Sequence, residues 1–160
     1  MSPRSDRLVT EFTAVNDDLI SCVSECSDEQ WQRQSVEEGW TVAAVAHHVA
    51  VSNGAIAGML SSQVAGNPDL PNISTADLNA NNAAHARDYA TVGKQETLDL
   101  LRSNGDAVVQ TLQSIDDDTF FDRPAGIFGG NELSVGQVAQ FVLVGHTAGH
   151  TASIKASLAD

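Results

Sequence analysis

His146 and His150 stand four residues apart in the run VGHTAGHTASIKASL. A step of four on a helix returns the side chain to within about 40° of its starting direction, so both imidazoles project from one face, a turn apart. Such a pair chelates a divalent cation through neutral imidazole nitrogens, and a catalytic site of this kind typically has about three protein ligands and one open position. The third candidate is His48, eight residues after Trp40 in GWTVAAVAHHVA. Two apolar helices would then bring three imidazoles to one point. The ordinary alternative for an i, i+4 histidine pair is a polar patch on a helix surface. Against that, His48, His146 and His150 each interrupt an otherwise apolar helix, and no acidic neighbour in sequence suggests an ion-pair role. His47 points about 100° away from His48 and reads as a packed or surface residue. His85, in the polar run NAAHARDY, reads as exposed.

The elements that must position these residues are helices. Leu8, Val9, Phe12, Val15, Leu19, Ile20 and Val23 recur at spacings of three and four, which predicts a helix from Asp6 to about Ser24. Ser27 with Gln30 resembles a capping box for a short turn that buries Trp31. Gly39 breaks the chain, and Thr41 caps a second helix running to about Gln63. That helix is rich in Val and Ala with almost no charge, so it is expected to be buried on most of its circumference. Ala65 to Asn72 (AGNPDLPN) reads as a loop. Ser74 with Asp77 caps a third helix through about Ala90, and a fourth runs from Lys94 to about Ser114 on a core face of Leu98, Leu101, Val108, Val109 and Leu112. Asp116 to Asp118 starts another turn, and RPAGIFGGNEL reads as a Pro/Gly-rich connection. Ser134 caps the final helix, whose stripe is Val135, Val138, Phe141, Val142, Ile154 and Leu158. No strand-period segment longer than a few residues is evident. The expected fold is therefore all-α, a bundle of four principal helices with short extra helices in the connections.

A chain of 160 residues, 42% hydrophobic, is expected to form a single domain over 1–160. The 21 acidic and 8 basic side chains give a net charge of −13 without a Lys/Arg cluster, so neither a nucleic-acid partner nor an anionic membrane surface is expected. A small anionic substrate remains compatible with this charge where a metal cation supplies local positive charge. No apolar run reaches the length needed to span a bilayer, Met1 to Thr10 lacks a signal-peptide pattern, and the expected location is cytoplasmic. Cys22 and Cys26, at i, i+4, run parallel on one helix, a poor geometry for a disulfide. They read as two small, reduced, buried side chains.

Trp40 and Thr41 opening a helix that carries His48, followed near the C-terminus by His146-x-x-x-His150, resemble the DinB-like superfamily, which includes the N-terminal domain of mycothiol-dependent maleylpyruvate isomerase. SDEQWQRQ before the tryptophan and DLNANNAAHA in the third helix match the family's habit too. The resemblance implies an up-down-down-up four-helix bundle, often a homodimer, with a divalent transition metal, zinc or nickel, held by His48, His146 and His150. It also implies a metal-dependent thiol S-transferase or isomerase that activates a thiol or water, with a small-molecule substrate and a low-molecular-weight thiol as partners. The alternatives are a non-catalytic, metal-stabilised bundle acting as an interaction module, and a metal-dependent hydrolase. In the mycothiol-dependent isomerases the position matching His146 is commonly Glu, so this chain departs from them at a ligand.

Overall fold

The computed structural model describes residues 1–67 and 70–159. Pro68 and Asp69 of the expected Ala65 to Asn72 loop, and Asp160, lie outside the described residues.

Helix α1 spans Pro3–Glu25 and starts three residues before the expected Asp6. Ser2 explains the early start: its hydroxyl accepts the Ser5 N–H at 3.2 Å, and Pro3 occupies the first turn, where no amide proton is needed. Leu8, Phe12, Leu19 and Val23 are buried along its inner face. The short α2 (Asp28–Gln32) carries the expected Ser27/Gln30 capping box. It lowers Trp31 into the core, with the indole N–H donating to Val92 O at 2.8 Å.

Helix α3 (Val42–Val64) begins at Thr41, whose hydroxyl accepts the Ala44 N–H at 3.2 Å and donates to Ala90 O at 2.8 Å. Contrary to the expectation that no run is long enough, α3 is, among the described residues, the one helix long and apolar enough by length and composition to cross a bilayer, but 61% of its most apolar window is buried in the fold. Helix α4 (Thr75–Asp88), capped by Ser74 and Asp77, buries no residue and packs on α3. Helix α5 (Lys94–Gln113) lies against both α1 and α3. Its closeness to them rests on glycine: a Cβ on Gly105 would stand 2.5 Å from Asn16 Nδ2, and one on Gly54 would stand 2.6 Å from Asn104 Nδ2. Asn104 uses that space to donate to Ala50 O at 2.8 Å, tying α5 to α3.

The last helical stretch is continuous but not uniform. Helix α6 (Val135–Val138), started by a Ser134/Gln137 capping box, runs into a π-helical segment, Ala139–Gly145, and then into α7 (His146–Leu158). One end of the core gathers Phe12, Leu60, Val108 and Phe121, and the other gathers Leu19, Trp31, Val42, Leu101 and Ile154. The expected all-α bundle is thus α1, α3, α5 and the α6–α7 stretch, with short helices between them.

Two expectations are corrected. Residues read as a plain connection form a small sheet: β1 (Asn72–Ile73) pairs in parallel with β2 (Pro124–Phe128), and β2 pairs antiparallel with β3 (Asn131–Ser134). Gly129 and Gly130, at φ +59° and +83°, turn that hairpin. The strands are too short, and too interrupted by Pro and Gly, to show an alternating pattern. Phe141, placed on the core stripe by its spacing, is 58% exposed, because the π turn carries it outward.

Candidate metal centre

His48 lies in the second turn of α3, and His146 and His150 occupy the first two turns of α7, which packs across it. Trp40, just ahead of the Thr41 cap, meets the His48 ring edge-on with centroids 5.5 Å apart. The three rings turn their Nε2 atoms to a common point. His146 Nε2 is 3.1 Å from His48 Nε2 and 3.1 Å from His150 Nε2, and all three ligand atoms fall within 4.8 Å of one another. Two nitrogens bound at about 2.0–2.1 Å to one ion, at angles between octahedral and tetrahedral, stand about 2.9–3.4 Å apart, so the observed spacing fits.

Protonation fits as well. Burial, reinforced by His146, His150 and His85, pushes the His48 pKa down to about 3. Burial and then His150 push His146 down to about 4. Both are neutral over the physiological range and offer lone pairs. The second nitrogen of His146, Nδ1, is buried and has no partner among the described residues. A cation at the centre would satisfy three converging lone pairs together.

The residue that sequence reasoning missed is Glu38. His150 Nδ1 and Glu38 Oε1 are 2.7 Å apart; a carboxylate only accepts, so Nδ1 carries a proton, and it is Nε2 that the neutral tautomer offers to a ligand. The other carboxylate oxygen, Oε2, accepts from Ser153 at 2.6 Å and from Ser35. Burial alone would raise the Glu38 pKa, but the hydrogen bonds from Ser153, Ser35 and His150 outweigh it and hold the carboxyl below its usual range. A tight turn delivers this group: Gly39 at φ +69° lets Gly39 N–H reach Ser35 O at 3.0 Å, and Ser35 N–H donates to Trp40 O at 2.7 Å. Glu38 and His150 are 112 residues apart, so no local pattern links them. The nearest signal was the EEGW run ahead of Trp40, which places an acid beside the start of the helix carrying His48.

His85 corrects a further expectation. It is half-buried rather than exposed, its ring 5.3 Å from that of His48, and its Nε2 is 3.2 Å from His47 Nδ1. His47 is packed, stacked on Tyr89 with centroids 4.1 Å apart. Asn79 is exposed and Asn82 half-buried.

The family model described as the DinB superfamily matches residues 11–154. The chain belongs to the DinB superfamily. Among curated proteins none matches the sequence. Solved structures share the DinB fold at low identity. The colibactin self-resistance protein ClbS, crystallised in complex with double-stranded DNA, has a TM-score of 0.74 at 13% identity, over 97% of this chain and 95% of that one. An uncharacterised protein from Escherichia coli UTI89 gives 0.75 at 16%, over 98% and 94%. The mycothiol-dependent maleylpyruvate isomerase gives 0.74 at 12%; the match covers 94% of this chain but 60% of the isomerase.

The ClbS complex overturns the exclusion of a nucleic-acid partner. A DinB fold has been crystallised with duplex DNA, so the expectation drawn from net charge is withdrawn. The physical reason is that a total of −13 averages over the whole surface, whereas association depends on the local potential of the docking face.

Proposed function

We propose that His48, His146 and His150 hold one divalent transition metal, zinc or nickel, and that this DinB protein is a metal-dependent enzyme of the thiol S-transferase or isomerase type. The observation that carries the reading is the convergence of three Nε2 atoms, those of His48 and His146 on neutral rings and that of His150 backed by the Glu38 carboxylate. Three imidazoles are donors of intermediate softness that suit zinc and nickel. When bound, such an ion acts as a Lewis acid that makes a coordinated thiol or water a nucleophile near neutral pH. The chain's own residues do the rest. Glu38 fixes the tautomer and direction of His150, while Trp40 holds the His48 ring from its edge. His85, its ring 5.3 Å from that of His48, is a further side chain able to hold or pass a proton.

The substrate in this reading is a small electrophile, with a low-molecular-weight thiol as second reactant. Residues 1–160 act as one domain, in the cytoplasm, where the free Cys22 and Cys26 are at home, and as a monomer or homodimer. The identity with the isomerase is too low to carry its substrate across. The test is purification under anaerobic conditions with elemental analysis, repeated for His146→Ala and His150→Ala, followed by turnover assays with a panel of thiols and electrophiles. One metal per chain, lost in both variants, and thiol-dependent turnover are expected. Unchanged metal content in the variants sinks the site. Bound metal with no turnover favours the non-catalytic alternative. Duplex DNA belongs in the same binding panel because of the ClbS complex.

A further inference from the structure

Cys22 and Cys26 take no part in the triad, yet they share a cavity. They line a space of about 390 Å³ together with Asp18, Ser21, Glu25 and Lys155. Both are free thiols, Cys22 in the last turns of α1 and Cys26 at its C-cap. The Cys26 thiol donates to Cys22 O at 3.3 Å, one turn back along the helix. Two lysines attend the pair: Lys94 Nζ donates to Cys26 O at 2.7 Å, and Lys155 pairs with Asp18 at 2.6 Å on the cavity wall. The contact with Cys22 and the charge of Lys94 outweigh burial and draw Cys26 down to about 7, while the contact with Cys26 and burial push Cys22 up, so the Cys22 proton leaves only as a metal binds.

The pair cannot close on itself without moving the backbone. A disulfide needs Cβ atoms about 3.5–4.5 Å apart, whereas positions i and i+4 of a helix hold them about 5–6 Å apart. A single ion between the sulfurs removes that difficulty, because two metal–sulfur bonds of about 2.3 Å each span the gap. We propose that Cys22 and Cys26 form a second metal site, a dithiolate that takes one soft d¹⁰ cation of the cadmium or copper(I) type from the cavity, independent of the three imidazoles. Two S–H protons leave to solvent and two metal–sulfur bonds form; nothing is oxidised or reduced. Thiolates select soft cations while imidazoles suit borderline ones, so the two sites sort metals by ligand type.

The test is anaerobic titration of cadmium chloride into the full chain and into a His146→Ala/His150→Ala double variant, read by thiolate-to-cadmium charge transfer in the ultraviolet. Imidazole ligation gives no such band. The expected result is a band saturating at one cadmium per chain in both proteins, absent from Cys22→Ser and Cys26→Ser variants that keep the native helical circular dichroism. No band in the folded protein overturns the site. So does a full band in either serine variant, or saturation at one cadmium per two chains with a doubled mass, which would mean that the thiols of different copies share the ion.

Discussion

Replacing Glu38 by Gln removes one negative charge behind His150 while keeping the side chain's shape. In the native site Glu38 Oε1 accepts the His150 Nδ1 proton at 2.7 Å, and Oε2 is held by Ser153 and Ser35, so the carboxylate cannot turn away. A hydrogen bond to a charged group contributes about 1.5–3 kcal/mol and a neutral one about 0.5–1.5. The exchange therefore costs about 1–1.5 kcal/mol when the imidazole donates its Nε2 lone pair. At about 1.4 kcal/mol per decade this is close to tenfold in metal affinity, the lower end of the 10- to 100-fold typical of groups that orient a ligand from behind. The assay is competition for zinc against a chromophoric chelator at neutral pH, for the native protein, Glu38→Gln and His150→Ala. Urea midpoints of the metal-free proteins separate an affinity effect from a folding effect. The native carboxyl lies below its usual range, so Glu38 stays ionised behind His150 as pH falls from neutral toward about 4.3. If Glu38→Gln binds zinc within a factor of two of the native protein while His150→Ala loses it, Glu38 serves the turn and not the ligand.

The metal-free protein loses stability in mild acid. His48 and His146, at about 3 and about 4 when folded, bind protons only when unfolded, where the ordinary value is about 6.5. Their stabilisation is complete above about 6.5 and drains at about 1.4 kcal/mol per pH unit each as pH falls toward the folded values; urea midpoints should show a loss of about 3–4 kcal/mol between pH 7 and 5, and an unchanged midpoint would contradict the burial of the triad. Gly105→Ala drives a methyl to 2.5 Å from the buried Asn16 amide and should cost about 1–3 kcal/mol, read as a fall in Tm. Gly58→Ala, on an exposed helical position with nothing within 4 Å, should instead gain about 0.5–1 kcal/mol, and a loss there would show that the α3 surface is covered in solution.

What the sequence made legible was whatever is written in local spacing. The Ser27/Gln30, Ser74/Asp77 and Thr41 caps, the buried i, i+3, i+4 residues of α1 and α5, and the two histidine positions of α7 all depend on contacts within one or two turns. His48 was reachable because its distance from Trp40 is also local. The parts that were missed depend on long-range pairing. Glu38 meets His150 across 112 residues, β1 finds β2 from 55 residues away, and His85 is brought to His48 by the packing of α4 on α3. Net charge failed for a related reason: it is a sum without positions.

The π segment shows how one irregularity serves core and site together. Val135, Ala139, Leu143, Thr147 and Thr151 are all buried, a strict step of four across the whole stretch. In a straight α-helix each such step drifts by about 40°, and four steps would carry the buried line nearly to the opposite face. The wider turn over Ala139–Gly145, closed where His146 N–H donates to Phe141 O five residues back, takes up that drift. The buried line therefore stays on the bundle side through Thr151. His146 and His150 each precede a member of that line, so they stand about 100° to one side of it, half-buried and facing α3 rather than filling the core. The same widening pushes Phe141 into solvent, a cost the core avoids everywhere else on this helix. An apolar side chain is given up to water, and two imidazoles gain a direction that regular α-helical geometry would not supply.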